Sequence, residues 1–262
     1  MLGPTRAGIW VLLVLAAANG LFLYLAPARA ETDYAWAIGP PVNAAFIGAG
    51  FLAGTLATGL VLATATRWRT FSSLPPALWV LASTPLAATI VHEDRFKWDY
   101  PLTWVWALVY AGVPLAVPAL VAIQRRDREP PPEADPRLRT VRVPSALAGA
   151  PLLAAAAALF ASPAELGRHW PWELTPLLAR AVAAWYALFG TMLLSCALAL
   201  RRPAEAIVPY ATLAAWSLLL LALPVLHSGD VSGGGPWIAL MLGLLALATL
   251  GLSAALPDRG RL

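Results

Sequence analysis

Two histidines stand in matched places in this chain. His92 and His227 each close an apolar block, and each is followed by acid, as His92-Glu-Asp94 and His227-Ser-Gly-Asp230. Two imidazoles facing each other across a helical bundle are the axial ligand set of a b-type haem. Neutral imidazole nitrogens joined by Asp94 and Asp230 would instead suit a metal ion. Imidazole also titrates near neutrality and so serves proton-linked work. The plainer reading is that each imidazole ends a helix, where it favours the negative end of the dipole and bonds free carbonyls. His169, in a loop beside Trp170, has no such context.

Arg180 is the other residue whose position is unusual. It lies about one turn into an apolar run, where an ionisable group marks either a functional site or a side chain snorkelling to the interface. Glu173 and Glu165 are the partners within reach in sequence. The lone cysteine, Cys196, excludes an internal disulfide and a cysteine-based metal site. There is no nucleophile elbow, His-Glu-x-x-His, dinucleotide fingerprint or Walker sequence.

The elements that must position these residues are apolar helices. The chain of 262 residues is 60% hydrophobic and 12% charged, with mean hydropathy +0.69, whereas soluble domains carry about 25% charged residues. Its apolar residues form eight blocks, at about 8–26, 40–65, 75–92, 101–123, 144–162, 175–200, 204–226 and 235–256. Blocks of about 20 residues match a hydrocarbon core of roughly 30 Å. Pro85 and Pro224, inside the third and seventh blocks, predict kinks. The expected fold is an all-α integral membrane protein of eight transmembrane helices.

Basic residues divide unequally between alternate connections. One side holds Arg6, Arg67, Arg69, Arg125, Arg126, Arg128, Arg137, Arg139, Arg142, Arg201, Arg202, Arg259 and Arg261; the other holds Arg29, Arg95, Lys97 and Arg168. The positive-inside rule predicts both termini in the cytoplasm of a bacterial-type inner membrane. These charges lie in short loops as topology signals, and no nucleic-acid motif accompanies the net charge of +4.

The chain reads as one four-helix unit written twice. Pro27, Trp36, Pro40 and Gly54 fall on Pro163, Trp172, Pro176 and Gly190 at an offset of 136, and His92 and Pro101 fall on His227 and Pro236 at 135. Residues 1–123 form the first repeat, 124–143 a cytoplasmic Arg/Pro-rich linker, and 144–262 the second repeat. The Ala28-Arg-Ala30 stretch resembles a signal-peptide cleavage context, but the fifth block ends in the same way, so the first is read as a retained span. An even number of spans per unit makes the repeats parallel, with a pseudo-two-fold axis along the membrane normal.

Symmetry nominates a site. Helices starting after Trp36-x-x-x-Pro40 and Trp172-x-x-x-Pro176 turn positive N-terminal ends toward the external face, where both histidines also lie. The expected site therefore comprises His92, His227, Arg180, Asp94, Asp230 and Asn43, with Trp36 and Trp172 lining or capping its opening. Arg180 falls on Ala44, beside Asn43, so the two repeats differ there. The leading expectation is a protein that binds or translocates a small molecule or ion through this outward-facing site. The alternatives are a haem- or quinone-linked redox protein using the histidine pair, and a ligand-free accessory subunit that packs on a protein partner through its Trp-rich rim. Gly50-x-x-x-Gly54 is a close-packing signal, read as packing within the chain.

Overall fold

The computed structural model describes residues 3–64, 68–124 and 132–256. Among them are nine α-helices and no strands, apart from one isolated bridge between Trp36 and Phe96. The helices are α1 (Gly3–Leu25), α2 (Pro41–Thr64), α3 (Leu74–Val91), α4 (Pro101–Gln124), α5 (Arg139–Ala161), the short α6 (Pro163–Gly167), α7 (Pro176–Ala199), α8 (Ala204–Leu226) and α9 (Gly235–Ala255). All but α6 are long and apolar enough to cross a membrane. The linker's Arg125, Arg126 and Arg128, the Glu129-Pro-Pro131 run, and Arg67, Arg259 and Arg261 lie outside the described residues.

Helix limits follow local chemistry. Pro176 occupies the first turn of α7, where its missing N–H costs nothing, and the Thr175 hydroxyl accepts from Leu178 N at 3.3 Å. Proline likewise opens α2 and α4. The helices α3 and α8 run unbroken through Pro85 and Pro224. The fifth apolar block was expected from 144, but α5 begins at Arg139. Its first turns carry charge because Arg142 finds a partner, donating to the Leu200 carbonyl at 2.7 Å.

The core lies where α2, α7 and α8 meet. Windows of α7 and α8 are 61% and 56% buried, against 11% for α1 and α4. Trp216 of α8 stacks on Phe189 of α7 with centroids 4.0 Å apart, and Phe46 of α2 meets its edge. The packing partners recur in pairs. Helix α1 lies on α2 as α5 lies on α7, α3 lies on α7 as α2 lies on α8, and α3 holds α4 as α8 holds α9.

Glycine governs the closest approaches. A Cβ at Gly50 would sit 2.5 Å from the Trp185 indole, whereas nothing lies within 4 Å of a Cβ at Gly54. The first glycine of Gly50-x-x-x-Gly54 therefore serves packing inside the chain, and the second faces open space. Gly251 of α9 lies so close under the Tyr210 ring that no side chain fits there.

Candidate functional site

His92 is the C-cap of α3, its backbone N–H bonded to the Ala88 carbonyl at 3.0 Å. Its Nε2 receives a guanidinium N–H from Arg180 at 2.5 Å. Arginine only donates, so this Nε2 carries a lone pair and His92 is neutral, with its proton on Nδ1. Burial and then Arg180 hold the imidazole below its ordinary pKa, against the opposing pull of Asp94. The same guanidinium donates through Nε to the Phe160 carbonyl at 3.1 Å and lies 5.3 Å from the Phe160 ring centre. Arg180 thus bridges α7 to α5 and α3, rather than to Glu173 or Glu165.

His227 is the C-cap of α8 and sits in a different setting. Its Nδ1 lies 3.8 Å from Asp230, and the same carboxylate oxygen accepts from Val42 N at 3.3 Å. An acid from the α8–α9 connection thereby satisfies a free N–H in the first turn of α2. Asp94 is exposed and paired with Arg95 at 3.1 Å. Among the described residues, no three His, Cys, Asp or Glu side chains converge as metal ligands would.

Asn43 is buried and hydrogen-bonded through both ends of its amide. Its amide donates to the Gly39 and Glu173 carbonyls at 3.2 and 3.0 Å, and its oxygen accepts from Trp172 Nε1 at 2.9 Å. Trp172 packs among Phe46, Trp170 and Trp237. Trp36 packs among Tyr34, Phe96 and Trp106 and is 2% exposed, yet its Nε1 has no partner. Six of the eight expected site residues thus fall into three groups, His92 with Arg180, His227 with Asp230 at the start of α2, and Asn43 with Trp172, while Asp94 pairs with Arg95 and Trp36 packs among other rings.

A cavity lies elsewhere. About 370 Å³ of space lies among α1, α2, α3 and α4, partly open to the surface, with α7 as its floor. Gly8, Gly54 and Ala116 leave room, and Ile9, Pro75 and Phe51 are among the apolar walls. Two polar contacts join α1 to its neighbours beside this space. Gln124 donates to the Thr5 hydroxyl at 2.7 Å, and the Tyr34 hydroxyl donates to Asn19 at 3.0 Å. Burial holds Tyr34 well above its ordinary pKa, so it stays a neutral donor. A smaller cavity of about 20 Å³, between Trp36, Ala88 and Ala181, shares Phe51, Leu81, Trp106, Tyr110 and Trp185 with the larger one. No Asp, Glu, Lys, Arg or His lines either space.

The volume falls within the range of small-molecule sites, about 300–1,000 Å³. Sequence reasoning missed this space because a cavity is a sum of small side chains on four helices. The one available signal was polar: Asn19, Tyr110 and Gln124 interrupt apolar runs.

No protein family, curated protein or solved structure matches the chain.

Proposed function

We propose that this chain is an eight-span integral membrane protein that binds a lipophilic small molecule within its first four helices. The carrying observation is the apolar cavity of about 370 Å³ among α1–α4. The outer helices support the membrane setting: Val11, Val14, Leu108 and Leu115 are 58–77% exposed, an apolar surface that water would not tolerate. The charge bias supports both termini on the cytoplasmic side of a bacterial-type inner membrane.

Two head-to-tail four-helix repeats account for the paired packing of helices, and they suggest why this space lies in the first unit. Tyr210 fills the second unit, its hydroxyl 2.6 Å from Ser145 of α5 and its ring against Gly251 of α9. The matched positions in the first unit are Pro75, Ile9 and Ala116, and all three line the cavity. Proline in place of tyrosine removes the plug. This space is preferred here to the outward-facing histidine pair because Arg180 already holds Nε2 of His92.

The test is photolabelling of the purified protein with a diazirine-bearing alkyl chain. Gly8→Phe and Gly54→Phe project a ring into the cavity from positions with no neighbour within 4 Å. Both should abolish most labelling with unchanged yield. The control, Gly112→Phe, is equally unhindered but faces outward, and should label normally. Labelling that survives both cavity substitutions would refute the proposal.

A further inference from the structure

The two cavities share a wall at which hydrogen-bonding capacity is left unspent. Tyr110 lines both spaces, is 7% exposed and brings a hydroxyl to their shared wall. Trp36 lines the smaller space and is 2% exposed, and its Nε1 is buried without a partner. The two rings flank Trp106, with centroids 4.6 Å and 4.0 Å from it. Trp106 itself is engaged, donating to the Thr89 hydroxyl at 3.1 Å.

The matched tryptophan shows what Trp36 lacks. Trp172 Nε1 is satisfied by Asn43, whereas the residue matched to Asn43 at the offset of 136 is Ala179, which has no side-chain acceptor. A buried donor left without an acceptor is costly. Here that cost falls at the junction between a large apolar chamber and a space that holds about one oxygen atom.

Building on the lipophile-binding reading above, we infer that this junction recognises the head of the ligand, a neutral carbonyl oxygen accepting hydrogen bonds from Trp36 Nε1 and the Tyr110 hydroxyl, with the attached apolar chain in the larger cavity. An indole N–H only donates, so the ligand must supply an acceptor. A carbonyl has two lone pairs and can serve both donors. A charged head is excluded by desolvation, since no charged residue lines either space to compensate it. Isoprenoid quinones and acyl esters share this chemistry.

The experiment is displacement of the photoactivatable alkyl probe from the full-length protein by compounds of matched chain length: an alkane, a methyl ketone, an alcohol and a carboxylate. An alkyl benzoquinone and an alkyl ester separate the two sources of the carbonyl. The ketone should bind about 10-fold tighter than the alkane, and Tyr110→Phe, which removes one oxygen atom only, should erase most of that ratio. Trp36→Phe should act in the same direction. Equal displacement by ketone and alkane, an alcohol or carboxylate that outcompetes the ketone, or a preference that survives Tyr110→Phe overturns the assignment of the head. Chain binding without head preference leaves the cavity reading standing; failure of every compound to displace the probe removes both.

Discussion

Arg180 of α7 donates to Nε2 of His92 at the end of α3, and so joins a permanent cation to an imidazole that must stay neutral. His92 acts as an acceptor that fixes an arginine, and Arg180 spans the gap between α3 and α5 by also reaching the Phe160 carbonyl. At the position matched to Phe160 stands Tyr24, whose hydroxyl donates across a comparable gap to the Leu219 carbonyl of α8 at 2.9 Å.

The neutral state of His92 predicts a pH dependence. Its pKa is lower in the folded protein than the ordinary value near 6.5, through burial and Arg180. The unfolded chain therefore takes up the proton first as pH falls. The stability that His92 contributes is fully present above about pH 6.5 and is lost as pH falls through that value toward the depressed one. Thermal unfolding in detergent should show this loss between neutral and mildly acidic pH. His92→Gln, which keeps an acceptor but does not titrate, should remove that component of the profile.

Arg180→Leu should lower stability by about 1–2 kcal/mol, since two charge-assisted hydrogen bonds disappear from a half-buried site. Arg180→Lys should recover little, because one ammonium cannot reproduce a fork that reaches both the Phe160 carbonyl and His92. Midpoints of denaturation for the three proteins decide this, and a lysine variant as stable as the parent would contradict the bridging role.

Asp230 should matter through α2 rather than through the α8–α9 connection that carries it. Its carboxylate caps Val42 N, where the preceding Gly39 has no side-chain oxygen to do so; the residue 136 positions further on is Thr175, which caps Leu178 itself. Asp230→Ala should cost about 1 kcal/mol, and Asp230→Asn clearly less. Hydrogen exchange at the first turn of α2 should rise in the alanine variant alone.

The two glycines of the Gly50-x-x-x-Gly54 motif should respond oppositely to alanine. Gly50→Ala drives a methyl into the Trp185 ring and should cost about 1–3 kcal/mol. Gly54→Ala meets nothing and should be neutral or stabilising by up to about 1 kcal/mol, through helix propensity. Equal destabilisation at both positions would mean that Gly54 also packs against a neighbour.

Composition and block length alone determined the helices. An apolar run of sufficient length satisfies its backbone internally by coiling, so the limits expected for α2, α4, α7 and α8 differ by no more than a residue or two from those found. Charge masked the start of α5, because Arg139 and Arg142 look like loop residues until the Leu200 carbonyl is seen beside Arg142. Tertiary structure alone decided the partners. His92 and His227 look equivalent in sequence, yet one meets Arg180 and the other Asp230, because what faces a helix end depends on which foreign helix packs there. The cavity was least legible of all. Pro75 is unremarkable by itself, and only when α1–α4 stand around it does the absence of a tyrosine like Tyr210 become a space. Residue types specify the volume that is present; the arrangement of helices specifies where volume is missing.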